Sequence, residues 1–193
     1  LYKEHHIKNG HVIMLNHPDS KYYSETKRQA LAALREFPGG LQAGGGITPD
    51  NAEEFLNEGA SHVIVTSYVF QNGKIYYDKL KKLYDTVGKE RLVLDLSCRR
   101  TEAGFQIVTD RWQKLTGEIL DEALLDRLSA FCDEFLIHAV DMEGKAEGIE
   151  CELAELLGNW GKCPVTYAGG VHSYEDLERL HDLGQGRVHV TVG

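Results

Sequence analysis

A single carboxyl group stands in an otherwise apolar run, and it is the side chain in this sequence best placed to do chemistry. The run is Leu92 to Leu96, and the acid is Asp95. Because an unpaired carboxylate is expensive to bury, Asp95 must either pair with a cation or act on a ligand. At the carboxyl end of a parallel strand, such a group predicts acid or base catalysis. The alternative is a structural ion pair with Arg99 or Arg100.

A second group of polar residues follows the apolar run 134–139. His138 lies near the end of that run, and Asp141 and Glu143 come within five residues of it. We assign His138 to substrate contact, although a histidine in such a place is often a hydrogen-bonded core residue. Glu143 precedes a glycine, where it can accept hydrogen bonds from sugar hydroxyls or serve only as a turn residue.

Two matched glycine-rich segments predict phosphate binding. Residues 41–47, LQAGGGI, are echoed at 165–171, VTYAGGV, and each segment leads into a helical pattern. Without Cβ atoms the backbone can approach a ligand closely, and free N–H groups at a helix start attract an anion. One such loop alone can be just a tight turn, but two matched loops favour two phosphate sites. The candidate residues are Gly45, Gly46, Thr66 and Ser67 for the first site, and Gly169, Gly170 and Gly193 for the second.

The segment from Cys98 to Glu118 is the longest stretch without a clear helical pattern. Long insertions at the carboxyl end of a strand are often functional. Trp112 in this segment can close over a flat ring of a ligand, or it can simply pack beneath a surface loop. Arg99, at the start of the segment, is a further candidate for substrate contact.

The elements that must position these residues alternate between strand and helix. This alternation favours a parallel α/β sheet, and the repeated strand, glycine loop, helix and strand indicate two related halves. A closed (β/α)₈ TIM barrel needs eight strands, so the sequence predicts an incomplete barrel of two half-barrel repeats that lacks the first strand and the last helix. An open doubly wound sheet fits the strand number but not the repeat. The seven predicted strands lie near 11–15, 41–43, 62–66, 91–97, 134–139, 164–168 and 188–192.

Helices are expected over 22–37, 49–57, 75–87, 120–132 and 149–158, with residues 1–9 as the tail of a helix that runs into a loop. We expect one domain over 1–193, cut short at both ends.

The composition excludes some function classes. A net charge of -9, with scattered Lys and Arg residues, argues against a nucleic-acid surface. No stretch approaches the length of a membrane span. The four cysteines lack metal-ligand spacing, so we expect buried thiols, no metal and a reducing compartment. We expect a cytoplasmic monomer, with a plastid possible for a plant protein.

Six motifs together resemble the histidine-biosynthesis isomerase family, the phosphoribosylformimino-5-aminoimidazole carboxamide ribotide isomerases, in its plant and fungal branch. The resemblance covers essentially the whole chain and implies a (β/α)₈ barrel of two half-barrels. The motifs are QAGGGI at 42–47, VIVTS at 63–67, VLDLSCR at 93–99, TDRWQ at 109–113, FLIHAVDMEG at 135–144 and VTYAGGV at 165–171.

The resemblance implies a cofactor-free Amadori rearrangement of a small-molecule substrate that carries a phosphate at each end. The family uses two aspartates, and Asp95 matches the one on strand five, the general acid. The aspartate of strand one has no counterpart in this sequence. Trp112 matches a tryptophan that covers the substrate, whereas the positions of His138 and Glu143 are often Thr and Asp in bacterial relatives. Gly45, Gly46 and Ser67 match one phosphate site, and Gly169, Gly170 and Gly193 match the other.

Two other functions remain open from the sequence. The cyclase subunit of imidazole glycerol phosphate synthase shares the half-barrel repeat, but it is expected to carry Lys just after the strand-five aspartate, where this chain has Leu96. It also needs a partner that supplies ammonia. The other alternative is a phosphosugar-binding barrel without catalytic activity.

Overall fold

Among the described residues, seven parallel strands joined by helices form most of a nine-stranded sheet. The computed structural model describes residues 2, 4, 5, 7–145 and 147–192. The strands are β1 (Gly10–Ile13), β2 (Leu41–Gly44), β3 (Val63–Val65), β4 (Phe70–Gln71), β5 (Lys74–Ile75), β6 (Leu92–Thr101), β7 (Gly104–Thr109), β8 (Lys114–Ile119), β9 (Glu134–Ala139), β10 (Val165–Ala168) and β11 (Val188–Val190). The α-helices are α1 (Tyr23–Glu36), α2 (Ala52–Asn57), α3 (Tyr77–Val87), α4 (Glu122–Ser129), α5 (Cys151–Trp160) and α6 (Tyr174–Leu183).

The order of the parallel strands follows the chain, as the sequence predicts. The sheet runs β1, β2, β3, β6, β9, β10, β11, and each neighbouring pair is parallel. All seven predicted strands are present, and the α/β class and the incomplete barrel are confirmed. The predicted helices occur with ends that differ by a few residues.

The expected helix tail at the start of residues 1–9 is wrong for the part that the structure describes, whereas the expected loop after it is present. Tyr2, Glu4 and His5 lie in a turn, and residues 7–9 have no regular structure. Residues 1, 3 and 6 lie outside the described part of the chain.

Two antiparallel additions were not predicted. Strand β6 continues past the barrel to Thr101 and pairs with β7, which in turn pairs with β8. Strands β4 and β5 form a separate short hairpin. The segment from Cys98 to Glu118, expected to lack helix, is therefore mostly strand. The alternating pattern of residues 104–109 and the glycine at the turn carried this signal.

The sheet is curved rather than flat, and one side-chain contact shows it directly. The Gln42 Nε2 group on β2 donates a hydrogen bond to Glu134 Oε2 on β9, at 2.7 Å. Two strands, β3 and β6, lie between them. In a flat sheet, three strand spacings would separate the two backbones by roughly 14 Å. The side chains meet because the sheet curls around them, as the wall of a barrel does.

The concave side of the sheet is layered. Successive inward residues of β9 are Glu134, Leu136 and His138, because alternate residues of a strand face the same side. Leu136 belongs to a small buried apolar cluster with Ile64, Val93 and Ala168. A buried polar layer lies on one side of this cluster and a polar rim on the other. The intervening residues of the strands pack outward with the helices in the larger core.

Candidate active site

A cavity of about 730 Å³ opens at the carboxyl ends of the parallel strands. Its volume lies in the range of pockets that hold a small organic ligand. In barrels of this kind, the loops at this end of the strands carry the active site. Its lining residues include His11, Thr66, Asp95, Ser97, Trp112, His138, Glu143, Gly169 and Gly170.

Asp95 lies in the cavity wall between a hydroxyl group and an imidazole. Thr66 Oγ1 donates a hydrogen bond to Asp95 Oδ2 at 2.8 Å. His138 Nε2 lies 3.5 Å from Asp95 Oδ1, and the Asp95 side chain is 15% exposed. One carboxyl oxygen is therefore fixed by Thr66, while the other lies against His138 and is itself buried from solvent.

The alternative of an ion pair between Asp95 and a nearby arginine is wrong. Arg99 Nε donates to Asp141 Oδ1 at 3.0 Å. Arg100 instead bridges two carboxylates at the start of α5, with contacts of 2.7 Å to Glu150 and 2.8 Å to Glu152. Both guanidinium groups thus have other partners.

Burial raises the pKa of the Asp95 carboxyl above its usual value. His138, the hydrogen bond from Thr66 and His11 act in the opposite direction without cancelling the effect. A raised pKa keeps the proton on the carboxyl to higher pH, which suits a general acid. The environment of Asp95 thus favours proton donation to a ligand in the cavity.

Three buried side-chain atoms among the described residues have no hydrogen-bond partner: Gln42 Oε1, Asp95 Oδ1 and His138 Nδ1. Buried polar atoms in folded proteins are nearly always paired, so each orphan needs an explanation. Asp95 and His138 both line the cavity. Each side chain thus keeps unused hydrogen-bonding capacity at the cavity wall.

The two glycine loops are placed differently. Gly169 and Gly170 line the cavity, whereas Gly45 and Gly46 lie at the end of β2 outside the lining residues. A Cβ on Gly45 would stand 2.1 Å from the Met14 carbonyl oxygen, which accounts for glycine there without a ligand. Thr66, the hydroxyl that follows the next strand, does reach the cavity.

Of the remaining expected site residues, some line the cavity and others do not. Trp112 and Glu143 line the cavity, and the Trp112 indole N–H donates to Ser97 Oγ at 3.0 Å. Ser67 is exposed and Arg99 is paired with Asp141, and neither is a lining residue. The placement of Arg99 therefore does not agree with a substrate contact. Gly193 lies outside the described residues.

Sequence reasoning missed His11, which lines the cavity from β1. Burial lowers the pKa of His11, the carboxylates of Glu134 and Asp95 raise it, and His138 lowers it further. His11 is a polar residue at the start of an apolar strand, the same kind of signal that identified Asp95. The sequence alone does not identify His11 as a site residue, because it does not show which side of β1 faces inward.

A buried polar layer beneath the cavity was also missed. Glu134, only 3% exposed, accepts hydrogen bonds from Gln42 at 2.7 Å and from Thr166 at 2.6 Å. The donors come from β2 and β10, which are far apart in sequence. This layer ties distant strands together under the Asp95 site.

Within the described residues, no group of three or more His, Cys, Asp or Glu side chains is arranged to hold a metal ion. None of the helices in that part of the chain is both long and apolar enough to cross a membrane.

The fold and the site together define a class: an incomplete (β/α) barrel with an acid and a histidine in a ligand cavity at the carboxyl ends of its strands. Within that class, the chain belongs to the family described as histidine biosynthesis protein, which matches residues 1–193.

Curated relatives in this family carry isomerase names. The chain is 55% identical over 194 residues to an imidazole-4-carboxamide isomerase of Medicago truncatula, which is named HISN3, chloroplastic, and the chain covers 60% of it. The Neurospora crassa isomerase is 41% identical over 196 residues, with 74% of its length covered. The Saccharomyces cerevisiae isomerase is 40% identical over 201 residues, with 73% covered. All of this chain is matched in each case, but it spans less than two thirds of the Medicago protein.

Proposed function

We propose that the chain supplies the general acid and most of the ligand cavity of the histidine-biosynthesis isomerase. The reaction is the Amadori rearrangement of the aminoaldose ProFAR to the aminoketose PRFAR. The observation that carries the proposal is Asp95 in the cavity wall, with a raised pKa and one unpaired oxygen 3.5 Å from His138. The names of the curated relatives specify an imidazole-4-carboxamide with phosphoribosyl groups, which agrees with a substrate of this kind.

The first chemical step uses the proton of Asp95. Protonated Asp95 Oδ1 gives its proton to the ribose ring oxygen as the C1–O bond breaks, while the nitrogen lone pair forms a C1=N double bond. A base then removes the proton from C2 to give an enaminol, which becomes the ketone as C1 takes up a proton and the hydroxyl on C2 loses its proton. The hydrogen bond from Thr66 holds the carboxyl oriented and stabilises the carboxylate that forms.

The resemblance assigns the base to an aspartate on a strand that has no counterpart in the printed sequence. Among the described residues we therefore assign the acid and the binding groups alone. His138 and Glu143 contact the sugar hydroxyls, and Trp112 covers a ring of the substrate. These side chains line one cavity with Asp95, which supports their assignment to one ligand.

The phosphate groups bind at the two glycine loops. Gly169 and Gly170 form part of the cavity wall and present the second site. For the first site we propose Gly45, Gly46 and Ser67, which lie outside the cavity lining and should therefore contribute less to ligand binding than the second site. Thr66 connects this loop to the cavity.

The cyclase alternative is less well supported. Leu96, where a lysine is expected in the cyclase, is fully buried in the apolar core. The Medicago, Neurospora and Saccharomyces relatives are all named as isomerases.

The decisive experiment compares the whole protein with its Asp95→Asn variant in an assay of aminoaldose isomerisation. Loss of general acid catalysis should lower kcat by about 10²–10⁴-fold with little change in substrate binding. Asp19→Asn, which removes an exposed carboxylate, is the control and should keep full activity. Tight binding of the aminoaldose without turnover in the parent protein would contradict the isomerase and select the non-catalytic binder.

We also propose a monomer in a reducing compartment, the cytoplasm or, in a plant, the plastid. All four cysteines are free thiols, and the Medicago relative is named chloroplastic. Light scattering should give a mass near 21.6 kDa for this chain. A mass near twice that value would overturn the monomer, and secretion of the protein would overturn the compartment.

A further inference from the structure

The turn between β7 and β8 has an unusual backbone. Asp110, Arg111 and Trp112 follow one another with φ angles of 56°, 55° and 65°. This left-handed conformation is unfavourable for residues with a side chain, and three in succession are rare. Such a conformation persists only where the surrounding structure holds it in place.

The tip of the β4–β5 hairpin provides that hold. Thr109 Oγ1 donates to Asp110 Oδ2 at 2.8 Å and accepts from the Gly73 backbone N–H at 2.9 Å. The backbone N–H groups of Asn72 and Gly73 also lie near enough to the Asp110 carboxylate to lower its pKa. Asn72 and Gly73 have φ angles of 55° and 70°, as a tight two-residue hairpin requires. Asp110 and Thr109 thus join two separate turns.

The other end of the strained turn reaches the ligand cavity. Trp112 is 39% exposed and lines the cavity, and its indole N–H is fixed by Ser97 Oγ at 3.0 Å. Ser97 lies on β6, two residues after Asp95, so the indole is held beside the strand that carries the acid. The orientation of the ring therefore depends on the same backbone that Asp110 anchors.

We propose that Asp110 is a positioning residue for the isomerisation: fastened to the tip of the β4–β5 hairpin through Thr109, it holds the strained turn that sets Trp112 over the substrate cavity. The catalytic part of this inference rests on the proposed function, whereas the anchoring of Trp112 does not. When the anchor is cut, the turn relaxes toward ordinary backbone angles and the indole leaves Ser97.

The charge of Asp110 agrees with this role. The hydrogen bond from Thr109 lowers the pKa of the Asp110 carboxyl, and Lys114 and the N–H groups of Asn72 and Gly73 act in the same direction. Lys114 Nζ lies 3.8 Å from Asp110 Oδ2. The carboxylate is therefore ionised at neutral pH. An ionised acceptor forms stronger hydrogen bonds than a neutral one.

Fluorescence quenching tests the anchor without any substrate. The chain has two tryptophans, and Trp160 is only 3% exposed, so quenching by neutral acrylamide reports mainly on Trp112. Asp110→Ala should raise the quenching constant about twofold, because a ring that is 39% exposed would become largely exposed. A Trp112→Phe protein gives the contribution of Trp160.

Asp121→Ala is the matched control. Asp121 also accepts a backbone N–H, from Leu124 at 2.7 Å, but it caps α4 away from the β7–β8 turn. This variant should lose stability while its quenching constant stays that of the parent. A quenching constant unchanged in Asp110→Ala would overturn the proposal.

If circular dichroism shows that Asp110→Ala does not fold, Thr109→Val tests the anchor of the β7–β8 turn instead. Valine has nearly the shape of threonine but lacks the hydroxyl that joins Gly73 to Asp110. Thr109→Val should then raise the quenching constant, and parent-like quenching would overturn the anchor.

In the isomerase assay of the whole protein, loss of the anchor should raise KM several-fold with a smaller change in kcat. An unchanged KM beside increased quenching would overturn the catalytic part of the proposal. Absence of turnover in the parent would count against the proposed function and leave the quenching result intact.

Discussion

The two glycine loops share a Gly-Gly pair at matched positions but have different surroundings. Gly170 lines the cavity, and a Cβ there would stand 2.0 Å from the Gly148 carbonyl oxygen. Gly45 meets the Met14 backbone with the same closeness but lies outside the lining residues. The comparison teaches that a repeated glycine pattern can be required by the backbone in both halves while only one copy borders the ligand cavity in this structure.

Alanine substitutions in the two loops have the largest expected effect and test this difference. Gly45→Ala and Gly170→Ala should each lower the free energy of unfolding by about 2–3 kcal/mol, because both combine a positive φ with a backbone clash. Chemical denaturation measures this loss. At a temperature where both variants remain folded, calorimetry should show weaker ligand binding for Gly170→Ala than for Gly45→Ala.

Gly46→Ala should lower the free energy of unfolding by less than Gly45→Ala, because Gly46 has a positive φ of 75° but its added Cβ would have only the Pro18 Cγ atom near it, at 4.0 Å. The comparison between the loops fails if Gly45→Ala weakens ligand binding as much as Gly170→Ala does.

The next largest effect is expected for Glu134, whose hydrogen bonds link the two halves of the chain. Glu134→Ala leaves the buried donors of Gln42 and Thr166 without their acceptor. We expect a loss of roughly 1–3 kcal/mol in the free energy of unfolding, measured with denaturant. Glu178→Ala, on an exposed position of α6, should change it by less than about 0.5 kcal/mol. Equal stability of the two variants would show that the buried layer does not join the halves.

The first half of the chain also contributes the Thr66 hydroxyl to the Asp95 site. We expect a smaller effect when this hydroxyl is removed. Thr66→Val removes the hydrogen bond to Asp95 and should lower kcat/KM by roughly tenfold, the value of one hydrogen bond to a charged group. This hydrogen bond lowers the pKa of Asp95, so its loss should move the alkaline limb of the pH–rate profile to higher pH. A limb that moves to lower pH would show that Thr66 does not stabilise the carboxylate.

Much of this arrangement follows from sequence because the inner and outer faces of parallel strands differ in chemistry. Asp95 could be found because it interrupts an apolar run, and the strands could be placed because their residues are almost all apolar. His11 and Glu134 could not, since the pattern does not show which side of a short strand faces inward. Whether Glu134 meets Gln42 depends on how far the whole sheet curls, which no local pattern encodes.

Arg99 was misplaced for a different reason. It follows Asp95 by four residues and would face the cavity if the parallel part of β6 continued. The last parallel pair of β6 joins Cys98 to Ala139, and beyond it the strand pairs only with β7. Arg99 therefore lies past the barrel rim, where Asp141 binds it.

The acidity of Asp95 tests the central claim most directly. Its carboxyl carbon can be followed by NMR against pH in the folded chain, with Asp95→Asn identifying the signal. We predict a midpoint above the ordinary aspartate value, because burial outweighs the effects of His138, Thr66 and His11. The sign also means that ionising Asp95 destabilises the fold as the pH rises through that midpoint. A midpoint at or below the ordinary value would leave no proton on Asp95 to donate and would contradict its role as the acid.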